Sequence, residues 1–202
     1  MTLVELTMAL AMACLVGSGV VAMTESVGRV LMEGRIQKEN TTASATASSR
    51  LAAVVSTASC PLMLSPQLVV CWGTDLHRDG RIQASELRWI RFDDQDGTLH
   101  LEQIGFPDNF GPRDIERADR TFASDADFRR VRRQFSNEGL LDSRMLLDGL
   151  VDVELAMSRE TQADPIDQKR ISWRLQWSEE ATPHSEAIIT CAIHAHSRPE
   201  DF

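Results

Sequence analysis

The chain has 202 residues, a formal net charge of −9 and four cysteines. This length supports one domain with a substantial core, or at most two small domains. The acidic balance argues against a general nucleic-acid binder, which needs a basic surface, and four scattered cysteines are too few for a disulfide scaffold.

An apolar segment, residues 1–24, opens the chain and carries Glu5 as its one charged side chain. As a helix, the first 23 residues of this segment, which end at Met23, would reach roughly 34 Å, enough to cross a hydrocarbon core of about 30 Å. A secretory signal peptide would need a positively charged start, whereas no Lys or Arg precedes Arg29. A plain membrane anchor with Glu5 at the interface is a second alternative.

Glu5 needs an explanation because an unpaired charge inside a bilayer costs roughly 3 kcal/mol. The α-amino group of residue 1 lies one helical turn away and is the nearest cation. Helices packed side by side would let Glu5 of one chain pair with the terminal amine of its neighbour. We therefore predict that Glu5 aligns subunits in an assembly.

The first six residues, MTLVEL, resemble the start of mature type IV pilins and type II secretion pseudopilins. The resemblance implies that a prepilin peptidase cleaves before residue 1, that Met1 is N-methylated, and that Glu5 is the family's assembly glutamate. The sequence departs from the family in having Met1 where Phe is usual. Its general layout is most similar to a J-type minor pseudopilin or a W-type minor pilin.

The resemblance also implies a function and a location. The chain would be a structural, non-enzymatic minor subunit of a type IV pilus or a type II secretion pseudopilus. Its partners would be other pilin or pseudopilin subunits, the prepilin peptidase and the bacterial inner membrane, without a small-molecule substrate. A single-pass helix would hold it in that membrane, with the globular domain in the periplasm, until it joins the filament. The alternative is a membrane-anchored extracytoplasmic binding module, such as a DNA-binding minor pilin.

A second segment, residues 25–59, is predicted to continue the helix, because no proline occurs before Pro61. Apolar residues recur at three- and four-residue steps and predict one apolar stripe, which consists of Ala43, Ala47, Leu51, Val54 and Val55. The run TTASATASS, residues 41–49, is poor in helix formers, and a flexible linker is the alternative there.

Residues 60–202 are predicted to form a globular β-rich domain. The predicted fold class is therefore α+β, with a long N-terminal hydrophobic helix packed on an antiparallel sheet. Alternating apolar residues predict six strands, and the segment DADFRRVRRQF predicts a short helix with Phe128, Val131 and Phe135 on one side. The strand segments are QLVVCWG, ELRWIRF, TLHLEQI, GLVDVELAM, RISWRLQW and AIITCAIHAH. In the last three, alternation predicts one shared face each: Val151, Val153, Leu155 and Met157; Ile171, Trp173, Leu175 and Trp177; and Ile189, Cys191, Ile193 and Ala195.

The segment DLHRDGRIQASE, residues 75–86, has the spacing of a calcium-binding EF-hand loop, with Gly80 at the sharp turn. Calcium prefers oxygen ligands, so a histidine at the third position weakens the match. The alternative is an Asp-rich hairpin loop. The candidate ligands are Asp75, His77, Asp79, the backbone carbonyl of Arg81, and Glu86.

Cys60 and Cys71 lie on either side of Pro61 and Pro66. A disulfide between them is predicted if the domain is extracytoplasmic, because oxidation is permitted there. Two buried thiols, or pairing of either with Cys191, are the alternatives.

The run from Arg129 to Arg133 holds four arginines around Val131. A solvated helix face explains such a run, and DNA contact is the alternative interpretation.

Overall fold

The computed structural model describes residues 41–155, 164–177 and 185–200, together with the single positions 8, 23 and 25. Met1–Ala43 and Ser44–Phe202 form two separate compact units. The second unit contains the β-rich part of the chain and most of the described residues. Met1, Glu5 and most of the predicted segment 1–24 lie outside the described residues.

Helices and strands succeed one another closely along the second unit. The helices are α1 (described over 41–55), α2 (Pro112–Ala118) and α3 (Phe128–Asn137). The strands are β1 (Cys60–Ser65), β2 (Leu68–Trp72), β3 (Ile82–Gln83), β4 (Leu87–Asp93), β5 (Thr98–Ile104), β6 (Thr121–Phe122), β7 (Leu141–Leu147), β8 (Leu150–Leu155), β9 (Arg170–Trp177) and β10 (Ser185–Ala192).

Three antiparallel sheets are built from these strands. The largest has the order β1-β2-β4-β5-β7, the second has the order β10-β9-β8, and β3 pairs with β6. The turn between β4 and β5 contains Gly97 at φ +62°, a conformation that L-residues with a side chain adopt at a cost. A side chain at Gly97 would also meet Leu150, since an added Cβ would lie 2.4 Å from its carbonyl oxygen.

The larger core joins α1 to one face of the five-stranded sheet and to the inner face of the three-stranded sheet. Ala47, Leu51, Val54 and Val55 are all buried in it, which confirms the predicted apolar stripe from residue 47 onward, whereas Ala43 is only half-buried. The guanidinium of Arg50 fixes the helix further by donating to the Leu146 carbonyl at 2.5 Å. The run TTASATASS is helical here, so the linker alternative is wrong.

A smaller core covers the opposite face of the five-stranded sheet. Helix α3 contributes Phe128, Val131 and Phe135, the three residues predicted to share one side of a short helix. The side chain of Asp127 caps this helix by accepting from the backbone N–H groups of its first turn. The Trp89 indole on β4 donates to the Phe128 carbonyl at 3.3 Å and ties α3 to the sheet.

Two predictions about the N-terminal part are corrected. The described unit is α+β with antiparallel sheets, but the predicted long apolar N-terminal helix is not found in the described part of the chain, where the first continuous helical run is α1, described over 41–55. Among the residues described, no helix combines the length and apolarity that a membrane crossing requires. The predicted transmembrane helix and single-pass inner-membrane location are therefore corrected as well.

Candidate functional site

The predicted EF-hand-like loop connects β2 to β4, and Glu86 lies buried at its centre. One oxygen of this carboxylate accepts from the Trp72 indole N–H at 2.8 Å and from the Gln83 backbone N–H at 3.3 Å. The other accepts from the Leu76 backbone N–H at 2.7 Å. Glu86 thus holds the two ends of the loop together, because it accepts from an indole and two backbone N–H groups that would otherwise lack partners.

The two aspartates of the loop hold its outer turn. Asp75 accepts from the backbone N–H of Arg78 at 2.5 Å and from that of Gly80 at 3.0 Å. Asp79 accepts from the backbone N–H of Arg81 at 2.9 Å, and this hydrogen bond is the main cause of a pKa of Asp79 below its ordinary value. Gly80 adopts φ +69°, which confirms the predicted sharp turn.

The loop brings only some of the predicted calcium ligands close together. His77 Nδ1 lies 3.6 Å from Glu86 Oε1, but the carboxylates of Asp75, Asp79 and Glu86 are occupied by hydrogen bonds within the loop. Across the described ranges, no group of three or more His, Cys, Asp or Glu side chains is placed to hold a metal ion. The calcium site, including the Arg81 carbonyl as a ligand, therefore stays a prediction.

Glu200 also contacts this loop, which the sequence did not indicate. Its backbone N–H donates to the Gly80 carbonyl at 2.8 Å. Its side chain lies so close that a Cβ added at Gly80 would be 2.9 Å away from it. Because the two residues are far apart along the chain, no local pattern could have joined them.

Cys60, Cys71 and Cys191 are free, buried thiols in the structure. The predicted disulfide between Cys60 and Cys71 is not formed. Cys71 belongs to the larger core and Cys60 to the smaller one, so the two side chains lie on opposite faces of the five-stranded sheet. Burial raises the pKa of each of these two thiols to about 12, which makes them poor nucleophiles.

Glu102 on β5 is the buried ionic residue that sequence reasoning missed; its side chain lies on the α3 side of the sheet. One of its oxygens accepts from Arg91 Nε at 3.0 Å and from Arg132 Nη2 at 2.6 Å, and the other accepts from Arg132 Nε. Burial acts to raise the pKa of Glu102, but the two arginines outweigh it, so the pKa lies below its ordinary value. The sequence could have indicated this burial, because Glu102 is two residues before Ile104 on β5 and so lies on the same, buried face.

The arginine run on α3 is therefore not simply a solvated face. Arg132 is held by Glu102, whereas Arg129, Arg130 and Arg133 are exposed. The prediction of a fully solvated helix face is corrected at Arg132, because this guanidinium lies over a buried carboxylate.

No protein-family model matches the chain, and no curated protein is significantly similar to it. Its function therefore has to be inferred from its own residues and contacts.

Proposed function

We propose that this chain is a structural, non-catalytic subunit of a filament similar to a type IV pilus or a type II secretion pseudopilus. The resemblance of MTLVEL to the mature start of those subunits is the observation that carries the proposal. Residues 1–24 would serve as the assembly segment, and the β-rich unit would supply contacts between subunits.

The way in which α1 joins the β-rich unit supports this proposal. The proline-free run that ends before Pro61 is helical over 41–55, and its stripe from Ala47 to Val55 is buried. A filament subunit needs such an integral helix, because a loosely tethered domain would not take a defined position in an assembly. The hydrogen bond from Arg50 to the sheet strengthens the attachment.

Glu5 has a defined task in the proposal. Its carboxylate pairs with the methylated terminal amine of an adjacent subunit, and this pairing sets the axial register between subunits. When one partner of an ion pair away from water is removed, the other charge is left uncompensated, and the contact between the subunits is strongly destabilised. Glu5 should therefore matter for assembly and not for folding of the β-rich unit.

The experiment is to express Glu5→Ala in the native host and to measure its amount in sheared, pelleted filaments against its amount in whole cells. Glu33→Ala is the matched control, since it removes a carboxylate further along the chain. We expect Glu5→Ala to be lost from the filament fraction at unchanged cellular level, while Glu33→Ala is retained. Equal incorporation of Glu5→Ala and the unmodified protein would favour a binding module that acts outside any filament.

A further inference from the structure

A basic groove of about 480 Å³ lies beside α3 at one end of the five-stranded sheet. Helix α3 forms one side, and the turns after β1 and β4 form the other. The polar residues that line it are Arg91, Arg129, Arg132, Arg133, Gln67 and Asp94. The groove thus concentrates four guanidinium groups, although the chain as a whole has a net charge of −9.

Helical spacing brings three of the arginines to the groove. Arg129, Arg132 and Arg133 occupy positions i, i+3 and i+4 of α3 and share one flank of the helix. Arg130 is exposed on the same helix but does not line the groove. The helix itself is fixed to the sheet by its buried apolar side, so this flank is held in place.

The four arginines fall into two pairs with different roles. Arg91 and Arg132 both donate to the buried carboxylate of Glu102, which fixes their guanidinium groups at the base of the groove. Arg91 also donates to the carboxylate of Asp93 at 2.8 Å. Arg129 and Arg133 make no side-chain hydrogen bond or ion pair with any residue that the structure describes. The groove thus combines a pre-organised base with two cationic side chains available to a ligand.

We propose that this groove binds a phosphate group, carried either by a small soluble molecule or by a lipid headgroup. The planar fork of a guanidinium matches phosphate oxygens, and pre-organisation reduces the entropy lost on binding. A carboxylate has two oxygens, and at Glu102 both of them already accept from the two arginines Arg91 and Arg132. A phosphate offers more acceptor oxygens and more charge, which suits the two remaining arginines. Asp94 in the lining, and Asp93 on Arg91, oppose any anion and keep the affinity moderate.

The test is isothermal titration of the full chain with inorganic pyrophosphate at low ionic strength. The double variant Arg129→Gln/Arg133→Gln loses two cationic donors to the phosphate, so it should bind at least about tenfold more weakly. Arg130→Gln is the matched control and should bind like the unmodified protein. Asp94→Asn should bind a few-fold more tightly, because it removes the opposing charge. All four positions are exposed, so these variants should fold.

Vesicles of phosphatidylglycerol, compared with phosphatidylcholine vesicles, distinguish the two sources of the phosphate. Vesicle binding that requires Arg129 and Arg133 assigns a lipid headgroup, and pyrophosphate binding without vesicle binding assigns a soluble ligand. The proposal is overturned by an absence of binding to both probes, by equal weakening in Arg130→Gln, or by succinate binding as tightly as pyrophosphate. Much tighter binding of a single-stranded oligonucleotide would overturn the assignment to a small ligand. The groove is independent of the filament proposal, and neither fails with the other.

Discussion

Replacement of Leu51 by alanine tests whether α1 is an integral part of the β-rich unit. The Leu51 side chain is 0% exposed and belongs to the core that contains residues of both larger sheets. Removal of three buried carbons costs about 2.4 kcal/mol at about 0.8 kcal/mol each. A residual cavity of about 50 Å³ adds about 1.2 kcal/mol, because neighbours from two sheets cannot both move inward. The free energy of unfolding should therefore fall by about 3–4 kcal/mol.

Urea denaturation of the full chain, monitored by tryptophan fluorescence, measures this loss directly. Leu76→Ala is the matched control, since Leu76 is 63% exposed and the same substitution there should change the free energy by less than about 0.5 kcal/mol. The denaturant slope should stay unchanged in both variants. A loss below about 1 kcal/mol for Leu51→Ala, or a loss equal to that of Leu76→Ala, would refute the claim that α1 is held in the core.

Three further predictions concern buried charge, backbone conformation and thiol reactivity. Glu102→Gln should lower the free energy of unfolding by about 2 kcal/mol at neutral pH, because two partly buried arginines lose their carboxylate. Because the folded pKa of Glu102 lies below its ordinary 4.5, its contribution is complete above that value and is lost as the pH falls through the folded pKa. Gly97→Ala should cost about 3 kcal/mol, against about 1 kcal/mol for Gly139→Ala, which has a similar φ but nothing within 4 Å of an added Cβ. Cys60 and Cys71 should react with iodoacetamide only when the chain unfolds, because burial raises the pKa of both to about 12.

Each of these has a clear contrary result. A stability difference for Glu102→Gln that does not shrink in urea titrations between about pH 7 and 3 would contradict the ion-pair explanation. Equal losses of stability in Gly97→Ala and Gly139→Ala would show that Gly97 does not pack tightly against Leu150 of β8. Alkylation of Cys60 or Cys71 faster than global unfolding, or a peptide that links the two by a disulfide, would contradict their burial on opposite faces.

Most of the strands could be predicted because their side chains alternate between a buried and a more exposed face. In β9, Ile171, Trp173 and Leu175 are buried and share the predicted face. In β10, Ile189 and Cys191 are buried as predicted, whereas Ile188 belongs to the opposite face and is exposed. Period-two burial is the strongest local signal that a half-buried strand carries.

A bulge explains the one strand whose phase was predicted incorrectly. Alternation predicts that Val151 and Val153 share the buried face of β8, but Val151 is 47% exposed. The register with β9 shifts between Leu150 and Asp152, so Leu150 and Val153 are buried instead. One extra residue in a strand moves the side chains before it to the other face, and the sequence does not mark where this occurs.

Strand β7 was missed for a different reason. It lies at the edge of the five-stranded sheet, and its residues from Asp142 to Met145 are all exposed. Such a strand has no alternating pattern to recognise, although its backbone pairs antiparallel with β5, with one shift in register between Leu99 and His100. Strand β1 was missed because Pro61 was interpreted as the end of the helix only, whereas a proline is also tolerated in an edge strand.

The candidate sites were the hardest part to predict because their partners are distant in sequence. The spacing predicts Glu86 as a terminal calcium ligand, but within the fold it accepts from the Trp72 indole on β2. Arg132 looked solvated, but tertiary packing brings it to Glu102, 30 residues earlier. Spacing identifies residues that are close along the chain, and it cannot show which polar group a fold places opposite them.

The central claim, that this chain is a processed filament subunit, is tested most directly at its first residue. Mass spectrometry of the N-terminal peptide, taken from native protein in its own host, identifies that residue and its modification. The account predicts an N-methylated Met1 with nothing before it, as cleavage by a prepilin peptidase would leave. A formylated or unmodified initiator methionine at that position, without a larger precursor, would contradict it.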